Sequence, residues 1–503
     1  MNHETNNQAA LKGILSENLG TVLALLGSFG VAKYIAFVSG STGIGYYSTF
    51  RQVILFATLV IGLNSQITLG REIAYYKDKP NRHQIIGRYV ASAFTFLILS
   101  SMALGAVFFL FPQIAASLAL ETSSDRTIQL SFLLAAIILT VFNQLILGIL
   151  LGYGLHHSRG LAVSVGALLM VVVSFGVVQA ANANEKWHYL LLIIITQGAG
   201  ILISCLWFLY RSGQLPVRFV SLRAANRADV WHFVRSSGLI TLIGLLDVSM
   251  NLFMRSYTTE TNGIETAGLF FTGLDISVIL GTTFAAPLLH FLLPRLTGEA
   301  NETAQQPAAR AAIATTSRYF LTIFVTLLTL IALNRILILR ILYSQEFYAA
   351  ASYWQWTTLA DFFRGYVWVV GAIFIARGRL KPYLASELVS HGFIWLIILI
   401  LRPPALETVA SLYLLLSILR VSGLLILSRR IIVDAPFPWL KLAIGFAIVA
   451  ASGTIAYQPE TSWLARIGLN LGVLTVLAVF LLQEWREEVQ VWVNKWRVDR
   501  MGK

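Results

Sequence analysis

Apolar runs of about twenty residues recur from one end of this chain to the other, and nothing else in it limits the possible folds so strongly. They fall near 14–38, 46–70, 85–111, 127–152, 159–181, 188–210, 234–257, 264–293, 313–343, 350–376, 382–401, 406–428, 437–456 and 462–482. At 1.5 Å rise per residue each is long enough to cross a hydrocarbon core of about 30 Å. Backbone polar groups in lipid must be satisfied inside their own segment, which selects helices. The chain is 12% charged over 503 residues, against about 25% for an average soluble domain. The expectation is an all-α polytopic membrane protein of about 14 transmembrane helices.

Charge sets the expected orientation. With the N-terminus inside, 26 of the 37 Lys and Arg residues fall in segments on the cytoplasmic side, while the opposite loops hold Arg126, Lys186 and Arg402. This is the bias that orients multi-pass proteins, and it places both ends in the cytoplasm. It also accounts for the net charge of +13 without nucleic acid as a partner. The start, MNHETNNQAALKGIL, lacks the basic and short apolar regions of a signal peptide and reads as a cytoplasmic lead-in. One cysteine, Cys205, lies in an apolar run, so neither an intramolecular disulfide nor a cysteine metal cluster can form. The outward loops are short and leave no room for an external catalytic domain.

The longest internal break, RSGQLPVRFVSLRAANRADVWHFVR at 211–235, is basic and interrupted by proline. It separates six spans from the next six. The expected organisation is a six-helix bundle over 1–210, a linker over 211–233, a second pseudo-symmetric six-helix bundle over 234–430, and two further helices with a cytoplasmic tail over 431–503. In that tail Trp485, Val489, Trp492 and Trp496 recur at helical spacing with charges between them, the pattern of an interfacial amphipathic helix. The two halves echo one another. GIGYYSTFRQ (43–52) opens the second span and TAGLFFTGLD (266–275) the eighth, pairing Gly45 with Gly268, Tyr47 with Phe270 and Thr49 with Thr272. Such a repeat is parallel, and transporters built that way hold their cargo between the halves.

These motifs, with a second helix ending in GLN-x5-GRE and a seventh reading LLDVSMNLFMRSY before GLFF, resemble the polysaccharide-transport (Wzx-type) flippases. That group belongs to the multidrug/oligosaccharidyl-lipid/polysaccharide exporter (MOP) superfamily. The resemblance covers residues 11 to about 430. It implies a bacterial inner-membrane protein that carries an undecaprenyl-diphosphate-linked oligosaccharide to the outer leaflet by alternating access of two bundles. It also implies membrane lipids and polysaccharide polymerase or assembly proteins as partners, and no cofactor.

An Arg or Lys at the centre of a membrane helix costs about 2.5–3.5 kcal/mol on insertion scales and therefore faces a wet cavity or a partner. Lys33, Arg51 and Arg255 fall in the outward third of their spans and Arg364 near the middle of its span; the four are the candidates for a cationic lumen. A planar guanidinium binds diphosphate oxygens bidentately. The competing reading is ion pairing within the membrane, for example between Asp361 and Arg364 at i, i+3. Arg335, Arg340 and Arg466 lie nearer helix ends and are expected to snorkel. Asp247, Asp275 and Asp361, with Glu387 and His391 at i, i+4, are candidates for carrying a coupling proton; the competing reading is helix–helix hydrogen bonding. Tyr46 and Tyr47 could stack on sugar rings or anchor the interface. Gln52 and Asn143 could bind sugar or hold helices together.

Two other function classes are weighed. A membrane ligase or polymerase would need a large external loop or an acidic metal site, and no D-x-D, H-E-x-x-H, G-x-S-x-G or P-loop pattern occurs. A multidrug or toxin exporter of the same superfamily would favour an acidic lumen over a basic one.

Overall fold

The computed structural model describes residues 2–76, 82–110, 126–213, 226–276, 306–343, 345–376, 379–428, 439–455 and 463–484. Among them there is no strand. The helices are α1 (Asn2–Gly62), α2 (Ser65–Tyr76), α3 (Arg82–Leu110), α4 (Arg126–Gly152), α5 (His156–Asn184), α6 (Leu191–Arg211) and α7 (Arg227–Asn262). After α8, helical over the described 264–276, come α9 (Gln306–Leu342), α10 (Ala350–Ala376), α11 (Leu380–Leu401), α12 (Leu406–Ser428), α13 (Trp439–Ile455) and α14 (Trp463–Glu484). The tail motif beyond 484, most of the linker and most of the expected span 264–293 lie outside the described residues.

Ten of these helices are long and apolar enough to cross a membrane; of the fourteen expected spans the first two run together, most of 264–293 lies outside the described residues, and the last two have shorter apolar cores. The expected spans 14–38 and 46–70 run together as α1, with a break at Gly40 (φ 61, ψ −157). That conformation is open essentially to glycine alone. The second of these spans breaks again, at Leu63 and Asn64, which take φ of 46 and 50. The amides of Leu63 and Thr68 bond to the carbonyls of Leu59 and Asn64, so few backbone groups are left open in the membrane. The GLN tripeptide is therefore a turn between α1 and α2. The last two expected spans are present as α13 and α14, with shorter apolar cores over Lys441–Thr454 and Leu471–Leu481.

The chain forms two compact units. The first comprises residues 1–275, 342–348 and 380–404. Within it α7 runs antiparallel to the segment 41–62 of α1 and its continuation in α2. The register is fixed by a ladder of contacts. Arg255 donates to Ser48, Gln52 Nε2 donates to the Val248 carbonyl at 3.2 Å, and Asn64 lies against Gly244. Ser237 donates to Thr68 at 2.9 Å. Beyond this, Arg88 of α3 grips Asp229 with bonds of 2.9 and 3.3 Å. A buried hydrophobic core of the unit includes Phe50, Val53, Ile61, Leu69, Leu97, Val141 and Leu150.

Two glycines permit a close approach between the segment 41–62 and the start of α8. A Cβ on Gly268 would lie 2.6 Å from the Ser41 carbonyl oxygen, and one on Gly45 would lie 2.9 Å from that of Ile264. The start of α8 and the segment after Gly40 thus touch backbone to backbone, and Thr42 adds a hydrogen bond to Glu265 at 3.2 Å.

The second unit comprises residues 276–341, 349–379 and 405–503. Its densest packing joins α10 to α12 and to aromatic side chains of α9. Gly365 makes room for the rings of Phe320 and Phe324, 2.6–2.8 Å from where its Cβ would be, and those two rings stack at 4.3 Å. Arg335, expected to snorkel, is instead 1% exposed. It donates to the Gly453 carbonyl at 2.8 Å and faces Gln355 Oε1 at 3.4 Å, tying α9 to α13 and α10. The kink at Asn334 (φ −110, ψ 15) immediately precedes Arg335.

Candidate functional site

Three charged residues of the first unit, Arg51, Arg255 and Asp275, lie around the junction of α7, α8 and the segment 41–62. Arg255, 3% exposed, pairs through one terminal nitrogen with Asp275 Oδ1 at 3.1 Å and through the other with Ser48 Oγ. Its guanidinium lies 4.0 Å from the Phe271 ring centre. A buried cation is tolerable only when paired and hydrogen-bonded, and here α1 supplies Ser48 and α8 supplies Asp275 and Phe271. Arg255 is therefore a fixed charge whose main bonds are made within the protein, and Asp275, 29% exposed, is its counter-ion.

Arg51 occupies a different environment. Its side chain is exposed, and its guanidinium lies 5.8 Å from the ring centre of Tyr47 one turn earlier. Tyr47 is itself buried, with its hydroxyl against Met170 sulfur at 4.0 Å. Arg51, Tyr47 and Asp275 all act electrostatically on Tyr343. Tyr343 enters the unit on the short segment between α9 and α10. Burial pushes the Tyr343 phenol above its ordinary range and Asp275 adds to the shift, so it stays protonated and able to donate. The cluster is thus Arg51, Arg255 and Asp275 flanked by two tyrosines, with a formal charge of one positive unit.

The remaining candidates are placed as follows. Lys33 is exposed on α1 on the far side of the Gly40 break. Asp247 is half-buried on α7. Glu387 and His391 are both 0% exposed, with Nδ1 3.4 Å from Oε2. In the second unit Arg364 and Asp361 face one another at 3.9 Å, 6% and 5% exposed, and the Arg364 guanidinium lies 5.7 Å from the Trp368 ring centre. That geometry favours the ion-pair reading of Arg364. Tyr46 stacks on Trp187 at 5.5 Å with rings nearly parallel. Asn143 donates to the Gly198 carbonyl at 2.9 Å, so it and Gln52 serve as interhelical ties. Sequence reasoning missed Ser48 and Tyr343. Neither residue type is unusual in a membrane helix, and both matter only through residues far away in the chain.

No family model matches the sequence, and no curated protein matches it. Solved structures do. The lipid II flippase MurJ in an inward closed conformation superposes with a TM-score of 0.66 at 13% identity, over 95% of this chain and all of that one. An inward-facing multidrug resistance MATE transporter of the MOP superfamily gives 0.60 at 14% identity, covering 88% and 99%. A MOP superfamily transporter from Pyrococcus furiosus, described by the reverse polarity of its binding pocket, gives 0.57 at 14% identity, covering 88% and 96%. The chain therefore has the all-helical fold seen in MOP-superfamily transporters and flippases. It is a multi-pass membrane protein of that architecture.

Proposed function

We propose that the protein is a flippase of the MOP architecture. It moves a lipid-linked, undecaprenyl-diphosphate oligosaccharide from the inner to the outer leaflet of the bacterial inner membrane during assembly of a surface polysaccharide. Two six-helix bundles, 1–210 and 234–430, alternate access, with both chain ends in the cytoplasm. Polymerase or assembly proteins take up the product. The observation that carries the reading is Arg51, an exposed guanidinium beside Tyr47, near Asp275, which is already engaged by Arg255. A diphosphate offers such a group charge and bidentate acceptors. Lys33 supplies further positive charge on the same helix, while Arg255 and Arg364 act through their pairs.

The test is deletion of the gene in its host followed by location of the lipid-linked glycan. The reading expects accumulation on the cytoplasmic leaflet and loss of surface polymer, restored by the wild-type gene and not by Arg51→Ala. Unchanged surface polymer after deletion would overturn it. A second reading, export of cationic drugs, draws on the MATE likeness and on the 29% exposure of Asp275. It predicts increased drug sensitivity on deletion with normal polysaccharide.

A further inference from the structure

The early turns of α7 divide into two faces with different company. One face is taken up by packing within the unit. Asp229 is gripped by Arg88, and Phe233, fully buried, meets the Tyr89 ring edge-on. Ser236 shares a hydrogen bond with the Tyr89 hydroxyl at 3.4 Å, and Ser237 donates to Thr68. These residues form the side of the helix turned to α3 and α2.

The opposite face carries Arg227, Trp231, Arg235, Gly238 and Leu242. At 3.6 residues per turn the five fall within an arc of about 80°. Both arginines are exposed, Trp231 is 66% exposed and Leu242 48%. A Cβ on Gly238 would meet nothing within 4 Å, so the stripe has a shallow notch between Arg235 and Leu242. Neither arginine forms an ion pair with a described residue. The one carboxylate of α7 before Asp247 is Asp229, which lies on the other face and is committed to Arg88.

Each part of this stripe matches a part of a lipid. The Arg227 end of α7 is the one that the charge bias assigns to the cytoplasmic side, where anionic headgroups concentrate. A guanidinium offers paired donors to a phosphate. The two arginines lie one turn to either side of Trp231, on stems flexible enough to bring both heads to one phosphate. Indole rings favour the headgroup level. Past them, the notch at Gly238 and the exposed Leu242 continue the stripe as an apolar track. It is exposed along its length, which suits a ligand supplied in excess by the bilayer better than a scarce cargo that must be enclosed.

We propose that this stripe is a binding site for an anionic phospholipid of the cytoplasmic leaflet. The phosphate sits between the two guanidiniums, the headgroup lies against Trp231, and one acyl chain follows the notch at Gly238. The site depends on the orientation of α7 and not on the identity of the cargo.

The test is native mass spectrometry of the purified full-length protein, released from nanodiscs of equal phosphatidylglycerol and phosphatidylcholine. The wild type is expected to retain a phosphatidylglycerol in preference to phosphatidylcholine. Arg227→Gln with Arg235→Gln should lower that retention by about tenfold or more. Gly238→Leu leaves the charge unchanged and has room for the new side chain; it should lower retention by about threefold. Arg211→Gln with Arg379→Gln removes the same charge from exposed positions elsewhere and should leave retention intact. All these changes fall on exposed or open positions, so the variants should melt with the wild type. Equal loss in the two double variants overturns the proposal, because net charge alone would then hold the lipid. So does a wild type that retains the two lipids alike. Displacement of the retained lipid by an equimolar amount of undecaprenyl diphosphate overturns the phospholipid assignment and makes the stripe an entry point for cargo.

Discussion

Arg51 and Arg255 answer different physical demands. Arg255 is held by Asp275, Ser48 and the Phe271 face, and removing either charge strands the other. Breaking a buried pair costs about 3–5 kcal/mol. Because Asp275→Asn strands Arg255 at 3% exposure while Arg255→Met strands Asp275 at 29%, Asp275→Asn is expected at the upper end of that range and Arg255→Met at or below the lower end. Melting of the purified protein in detergent measures both, and the double replacement Arg255→Met with Asp275→Leu should recover most of the loss. Equal melting for all three would show that the pair contributes nothing. Arg51 makes no such tie among the described residues. Arg51→Ala should leave the melting temperature within a degree or two while abolishing export, and Arg51→Lys should recover export only in part, since an ammonium cannot reproduce the planar fork. A matched loss of stability in Arg51→Ala would move it from cargo contact to scaffold.

At the scale of elements, the positions of the helices were legible in the sequence because hydropathy is a local property: α3 to α7 and α9 to α14 lie where the apolar runs do. The breaks were less so. Gly40 sits in a stretch rich in glycine, and nothing local singles it out as the residue at φ 61. Leu63 adopts the left-handed region despite its side chain, which no propensity predicts. The burial of Arg335 was illegible because its partners, Gln355 and Gly453, come from other helices. Gly45 and Gly268, paired in the weak echo between GIGYY and TAGLFF, lie where the two segments come into contact. Gly268→Ala must push against the Ser41 carbonyl and should destabilise by about 1–3 kcal/mol, as overpacking does. Gly30, with nothing within 4 Å of a new Cβ, is the control. Gly30→Ala should be neutral or stabilising by up to about 1 kcal/mol. Denaturation of the two variants side by side checks the difference, and equal stabilities would contradict the close contact.

For the whole molecule, the ladder from Ser48–Arg255 to Arg88–Asp229 clasps α7 along its length within the first unit. Alternating access requires that part of this ladder, or the Thr42–Glu265 contact at its other end, release during a cycle. Thr42→Cys with Glu265→Cys, in a Cys205→Ser background, should form a disulfide under oxidation and stop export, with a reducing agent restoring it. Export that continues through the cross-link would show that this contact does not move. The most direct measurement for the account as a whole uses purified protein in liposomes carrying an undecaprenyl-diphosphate oligosaccharide on one leaflet, with an impermeant probe reading its arrival on the other. The account predicts transfer by the wild type and none by Arg51→Ala of equal stability. Absence of transfer by the wild type, together with uptake of a cationic drug in the same liposomes, would contradict it.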